Sequence, residues 1–535
     1  MPDRSNTERD KSELPIDIIK VIFDHAAAID PPQRSPPHRS FYSYTPSTLG
    51  WITLTHVCAN WRNVGLSMPT LWAAIAAVFL NTSAVNTFLA RAGSCPLTID
   101  LTKHPLGELR GHTMISCLRK HLSQVSVLEV GTFGVYDLLR ADGEAPLSTP
   151  ALYKIRVGHT AYIPSGDESD LNRFRILQLN ATELRSATLT NAILPSDCVR
   201  GLRELRLKLT QHHSPSLSDL HDFIRCCSQL ETLDIAFTCP RAEPDAGYRA
   251  REIPLNNLKR AVLSAYSQEQ LCQIWGPIVG CDDIVLDLSC TGTGPTMPPN
   301  AVPALFTLCA AQLLSTHYDA IELTAHHGLK ITIYQLSTQR VCHSWALSTV
   351  QHNRVHLLSV LPRHIRAELI RSLSLDSTLL QSDQISHVFR AFGSAMTGLT
   401  DLKLGGMNQW PASLYIRALG RGRPTPAFRA LQRLTITDME LGGKSLDRER
   451  SHAQYWWDAL HEALIARLCT GGEAFRLRRL VLDGTWLGVE LWDLGHDQEA
   501  LRKISSLWLT QEVVDTRTYA RSSPQWKPLS SFTYQ

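Results

Sequence analysis

Nowhere does the sequence hold the ~20 consecutive apolar residues that a membrane-spanning helix needs. The run from Leu71 to Leu80 is far too short. Charge of one sign is also lacking. A formal balance of +3 over 535 residues argues against the strong basic field of a dedicated nucleic-acid protein. The short runs Arg421-Gly422-Arg423 and Arg476-Leu477-Arg478-Arg479 read as a loop and a solvated strand face, because phosphate chains need a wider basic patch. The thirteen cysteines form no Cys-x-x-Cys pair, which argues against RING-type zinc sites and dithiol redox motifs. Most of them, such as Cys58, Cys117 and Cys309, sit singly in apolar runs, and Cys226 and Cys227 are adjacent. The opening Met1-Pro2-Asp3-Arg4 has no signal-peptide apolar core. Reduced thiols and a cytoplasmic or nuclear location are therefore expected, with the sequons at Asn81 and Asn180 unmodified.

Catalytic constellations are equally sparse. Gly442-Gly443-Lys444-Ser445 has the end of a phosphate-binding loop, but Asp438 replaces its first glycine. His461-Glu462 lacks the second histidine of a zinc protease, since Ile465 stands there. No Gly-x-Ser-x-Gly elbow occurs. His212-His213 and His326-His327 fall in polar turns, and Trp51, Trp456 and Trp457 read as packing residues. A non-catalytic chain without metal or cofactor is expected.

What is there begins after a polar tail, residues 1–11. Pro15 suits the first turn of a helix, and Asp17 favours its dipole. Ile18, Ile19, Ile22, Phe23 and Ala26 keep the spacing of one helical face. A Pro-rich insertion occupies residues 30–48. Leu54, Val57, Cys58, Trp61 and Val64 then repeat helical spacing, ended by Gly65 and Ser67-Met68-Pro69, and Leu71-Trp72 restarts an apolar segment. About 60 residues bury little surface alone. These helices are expected to leave an apolar patch open, as binding sites do; a plain helical cap on the following domain is the alternative.

Taken together, Leu14-Pro15-Ile16-Asp17-Ile18-Ile19-Lys20-Val21-Ile22-Phe23, Val57-Cys58-Ala59-Asn60-Trp61-Arg62-Asn63-Val64 and Pro69-Thr70-Leu71-Trp72 resemble the F-box, in the insertion-bearing form abundant in fungi. The departures are Asp17 for the usual Glu, Ile19 for the usual Leu, and the lengthened connector. The resemblance covers residues 12–75. It implies a Skp-type linker subunit as partner and, through it, the cullin of an SCF-type ubiquitin ligase. It also implies Leu14, Pro15, Ile18, Ile22, Val57, Trp61 and Trp72 as linker-contacting or module-core residues. Burial of such anchors is worth roughly 1.5–3 kcal/mol each.

Residues 76–150 read as a connecting strand–helix–strand region, with strands at Pro96-Leu97-Thr98-Ile99-Asp100-Leu101 and Val127-Leu128-Glu129-Val130 and a helix from Leu109 to Val127. From residue 151 to 520 a looser motif recurs: apolar, two any, apolar, any, apolar. It starts at Leu152, Phe174, Leu202, Leu230 and Leu258, and again at Leu399, Leu431, Leu477 and Ile504. This is the pattern of leucine-rich repeats, with helices at Leu217–Cys226 and Tyr455–Leu468. The stretch 265–395 is irregular, and a tail follows at 521–535. The fold class expected is α/β: a small all-α F-box-like module followed by a degenerate leucine-rich-repeat α/β solenoid. An ordinary α/β domain whose strands begin with leucine is the alternative. Glu204, Arg206, Lys208, Thr232, Asp234, Asp401, Lys403, Arg479 and Asp483 are the candidate substrate face.

Two functions from different classes follow. One is a substrate-receptor adaptor of an SCF-type ligase, binding the linker at one end and a protein substrate at the other. The other is a leucine-rich-repeat interaction scaffold whose N-terminal helices are only a cap. Neither involves nucleic acid or membrane.

Overall fold

The computed structural model describes residues 14–33, 47–79, 81–102, 113–131, 138, 147–158, 175–177, 179–210, 215–237, 250–280, 284–290, 306–307, 309–314, 317–325, 328–347, 351–380, 382–406, 409–420, 427–439, 452–487 and 491–520. The chain divides into two compact units, Met1–Ile235 with Ala242–Asn257 and Ala236–Arg241 with Leu258–Gln535. The glycine–lysine segment 442–445, the histidine pairs 212–213 and 326–327, the basic run 421–423 and Phe174 lie outside the described residues. No helix among the described residues is long and apolar enough to cross a membrane.

The first unit opens with helices α1 (Ile16–Ile29), α2 (Ala59–Leu66), α3 (Pro69–Ala74) and α4 (Thr82–Ala92). The single helix expected from Leu54 to Val64 is broken in two. A 3-10 turn over Gly50–His56 buries Trp51, Ile52 and Thr55; the backbone then extends at Cys58 (φ −159°, ψ 176°) before α2 begins. Trp51 turns into the core from the 3-10 turn, while Val57 stays in solvent. Asn81, noted as a sequon, caps α4: its Oδ1 accepts from Ser83 N (2.8 Å) and Ala84 N (3.3 Å).

Six parallel strands follow in chain order: β1 (Leu97–Asp100), β2 (Val125–Gly131), β3 (Lys154–Gly158), β4 (Ser186–Thr190), β5 (Glu204–Leu209) and β6 (Thr232–Phe237), whose last two residues count with the second unit. The expected connecting stretch thus supplies β1 and β2. The helix expected over Leu109–Val127 is confined among described residues to α5 (Thr113–Arg119); a 3-10 turn at Leu122–Gln124 then redirects the chain into β2. Alternating burial of Leu128 and Val130 settles that segment as strand. In β5, Leu205, Leu207 and Leu209 point inward while Glu204, Arg206 and Lys208 stay exposed. Leu152, Leu202 and Leu230 are buried ahead of β3, β5 and β6, and Leu184 is buried ahead of β4. α6 (Leu217–Cys226) buries Leu217, Leu220, Phe223 and Ile224 as its spacing predicts.

The second unit is again mostly parallel. β7 (Arg260–Ala265) pairs with β8 (Val285–Cys290). The irregular middle resolves into an antiparallel excursion, β9 (Ala320–Thr324), β10 (Leu329–Gln335) and β11 (Arg340–Leu347), laid down so that β11 is parallel to β8 and β9 to β12 (Ser372–Asp376). Then β13 (Asp401–Gly405), β14 (Arg433–Thr437), β15 (Leu477–Asp483) and β16 (Thr510–Asp515) add in chain order, all parallel. Helices α8 (Gln351–His364), α9 (Ser382–Ala395), α10 (Gln409–Gly420), α11 (His452–Gly471) and α12 (Leu491–Ser506) pack on one another in sequence; α7 (Gln268–Trp275) lies between β7 and β8. Ile504, read as the start of a strand, belongs to α12; the strand begins six residues later at Thr510. The last helix uses its isoleucine to pack, and periodicity of three apolar residues does not tell those roles apart. Both units are α/β, and no closed barrel occurs among the described residues.

Two buried arginines hold the second unit's loops. Arg467, on α11, donates to the carbonyls of Ala427 (2.7 Å), Phe428 (3.1 Å) and Phe475 (3.3 Å); burial pulls its pKa down to about 10. Arg517 reaches Asp497 Oδ2 (2.8 Å) and both oxygens of Asp515 (2.7 and 2.6 Å). Its guanidinium lies 4.2 Å from the Trp486 ring centre, and the Trp457 indole N–H donates to Asp497. Burial works to raise the Asp515 pKa, but the hydrogen bonds and charge of Arg517 hold it below the ordinary carboxylate range. Arg517→Leu is expected to cost about 3–5 kcal/mol, because the buried Asp497 carboxylate loses its counter-charge. Because the folded pKa of Asp515 is depressed, its contribution is present above about pH 4 and is lost as pH falls through the folded value. Thermal melts from neutral pH downward check both points: the wild type should lose more stability to acid than Arg517→Leu.

Candidate functional site

The N-terminal helices are organised around a chain of aromatic rings. Phe23 meets Trp51 and Trp61, each at 6.0 Å between ring centres. Trp51 meets Trp72 at 4.9 Å, and Trp72 meets Phe88 of α4 at 5.3 Å. The Trp72 indole donates to Gly65 O (2.9 Å), and Arg91 stands 4.3 Å from the centre of its ring. Edge-to-face contacts of this kind add to the area that each ring buries. Beyond residue 75 the packing therefore continues through Phe88 and Arg91.

The Pro-rich insertion is pinned where it leaves the module. Gln33 and Thr48 exchange backbone hydrogen bonds (3.0 and 2.8 Å), and Trp51 N donates to Asp30 O (2.9 Å). Closing a longer loop at its neck costs only ~0.6 kcal/mol per doubling of length, so the insertion leaves the aromatic core undisturbed. Gly50 makes the neck possible. Its φ is +51°, and a Cβ there would lie 2.4 Å from Asp30 O.

With the core defined, the seven linker-contact candidates sort themselves. Trp72 is only 1% exposed and belongs to the core. It therefore cannot be a contact residue in this fold. Trp61 and Ile22 are half-buried, Trp61 against Phe23. Leu14, Pro15, Ile18 and Val57 are exposed. Helix α1 is apolar on opposite sides: Ile19 and Phe23, four apart, are fully buried, while Leu14, Ile18 (48% exposed), Val21 (51%) and Ile29 (83%) form a second stripe in solvent. Leu14 precedes the helix; within it, Ile18, Val21 and Ile29, spaced by three and eight residues, fall within about one-quarter turn of one another. Sequence reading found the first stripe and merged Ile18 into it. Val21 and Ile29 were missed, although a helix apolar all round its N-terminal half was the available signal.

The strand faces carry the other candidates. Cross-strand register in the first unit sets Ser186 beside Glu204, Thr188 beside Arg206 and Thr190 beside Lys208; Thr232 and Asp234 on β6 are half-buried. Nearby Glu129 pairs with Lys154 (3.1 Å) and Arg156 (3.8 Å), whereas Arg206 and Lys208 form no ion pair among the described residues. In the second unit, Asp401, Arg433, Arg479 and Glu512 form one row across four strands. Arg433 reaches Asp401 at 3.5 Å and Arg479 reaches Glu512 at 3.3 Å, so Asp401 and Arg479 are brought into one self-neutralising ladder. Such exposed pairs contribute little stability. Lys403 lies one row along, beside Thr435. The Thr516 hydroxyl, the Gly484 N–H and the charge of Lys403 keep Asp483 below the usual carboxylate range. No group of three metal-ligating side chains occurs among the described residues.

The neck of the insertion gives a direct check on the module. Gly50→Ala is expected to lower stability by about 2 kcal/mol or more, from left-handed backbone strain and a collision with the Asp30 carbonyl; chemical denaturation of the variant measures it. Compared with known proteins, the chain matches no family model and no curated protein sequence.

Proposed function

We propose that the chain is the substrate-receptor subunit of an SCF-type cullin-RING ubiquitin ligase. It docks a Skp-type linker subunit, and through it a cullin, by way of α1, and it holds a protein substrate on its strand faces. The observation that carries the reading is the second apolar face of α1. Ile19 and Phe23 satisfy the needs of folding; Leu14, Ile18, Val21 and Ile29 do not contribute to that core and stay in water. An exposed aliphatic stripe of this kind is what a partner helix or groove covers.

The receptor half is supported by leucine-led parallel strands that alternate with helices in the second unit, the arrangement a leucine-rich-repeat solenoid would have. Glu204, Arg206, Lys208 and Lys403 are exposed on such strands and would meet a substrate there. The work is done by proximity: both partners are held at high effective concentration, and the ubiquitin transfer belongs to other subunits. The cap-only scaffold remains the competing reading, because the packing of Trp72 on Phe88 is also what a cap would make.

The double variant Ile18→Asp/Val21→Asp separates the two readings. Both side chains are about half exposed, so the melting temperature is expected to hold, while affinity for the purified linker falls at least ~100-fold, from two aliphatic anchors worth roughly 1.5–3 kcal/mol each. Linker binding unchanged by the double variant, or no binding by the wild type, leaves only the scaffold.

A further inference from the structure

The last strand of the second unit has an open edge. β16 pairs with β15 on one side and with no strand on the other among the described residues. The same register continues past it, with Thr485 beside Thr518 and Leu487 beside Ala520. Thr516 N donates to Leu482 O (2.9 Å) and Thr518 N to Gly484 O (3.0 Å). The N–H and C=O of one residue in a parallel strand point to the same side, and the side alternates along the chain. Since Thr516 and Thr518 face β15, residues Gln511, Val513 and Asp515 turn their backbone groups outward. Edges of this length are ordinarily blunted by lysine, proline or a bulge. Thr510-Gln511-Glu512-Val513-Val514-Asp515 contains neither lysine nor proline. By contrast β1, the outer strand of the first unit, is short and has a register shift at Leu97/Thr98.

The entry to this edge breaks two rules at one residue. α12 ends in a Schellman cap: Leu509 N donates to Ile504 O and Trp508 N to Ser505 O, both at 3.1 Å. The position that this motif usually gives to glycine is taken by Trp508, at φ +52°. A bulky side chain is disfavoured in that backbone region. Yet Trp508 is 72% exposed, beside Leu507 at 53%, with the Arg476 guanidinium 5.6 Å from its ring centre. Folding alone would favour glycine here, and solubility would favour a polar residue. An exposed tryptophan retained against both preferences has the character of an interface anchor.

We propose that this edge is the interface of a homodimer, in which a second copy of the chain adds its own β16 antiparallel to the first. A dyad at Val513 joins outward-facing groups to outward-facing groups. It sets Gln511 opposite Asp515 and Glu512 opposite Val514, so no like charges meet. A dyad one residue earlier would oppose Glu512 to itself. The Val513 dyad also places Trp508 across from Thr518 of the partner subunit, so that the two tryptophans close the two ends of the seam.

Sedimentation velocity of the full chain over about 1–100 μM tests the proposal. A concentration-dependent dimer is expected. Val513→Pro should abolish it with little change in melting temperature, because the Val513 N–H takes no part in the native ladder. Trp508→Gly should raise the melting temperature by a few degrees and weaken dimerisation at least ~10-fold. The second variant keeps the test decisive should the proline variant misfold. A wild type that stays monomeric throughout, including one that instead takes up an extended strand of a different protein, overturns the proposal. So does a dimer that both variants leave intact.

Discussion

A parallel strand turns every second side chain toward the layer that covers it, and this constraint organises both units. It puts Leu205, Leu207 and Leu209 inside and Glu204, Arg206 and Lys208 outside with no choice in the matter. It does the same for Leu402 and Leu404 against Lys403. Once strands stack in register, charged residues of successive strands must fall into rows. The Asp401–Arg433–Arg479–Glu512 ladder is the consequence of that stacking. Register thus decides which exposed charges are quenched by a neighbour and which stay available, and Arg206 and Lys208 are on the available side.

Where the alternation stops, single buried groups take over. Arg467 gathers three carbonyls that the loops at 427–428 and 475 present to it. Arg517 joins Asp497 and Asp515 beneath Trp486. In the N-terminal helices the same office belongs to aromatic rings running from Phe23 to Phe88. These contacts leave α1 with only half of its apolar surface used. The unused half is the reason to read the module as a docking element.

The open edge of β16 and the exposed stripe of α1 follow one logic. In each, the fold is complete without the exposed apolar group, and the group carries a cost in water. Partners of different kinds are inferred because the geometry differs. A helix face with Ile18 and Val21 suits a groove, whereas a strand with outward backbone groups suits another strand.

Much of this was legible in the chain itself. The face Ile19–Phe23, the strands led by Leu202, Leu230 and Leu477, and the α6 and α11 helices follow from spacing, because local period and local burial coincide there. Other features were not legible. The break at Cys58 leaves no mark in the helical spacing of Leu54 to Val64. Leu184 leads β4, and Ile504 serves a helix, because a three-residue apolar pattern fits either structure until neighbours choose. The antiparallel excursion β9–β11 hid within an irregular stretch: its strands pair with near neighbours, but its place beside β8 and β12 is set by strands farther along the chain. Alone, the sequence determined which residues are apolar and at what period. Only the tertiary structure decided which of them are spent on the core, because burial is a property of the neighbours that assemble around a side chain and not of the side chain itself.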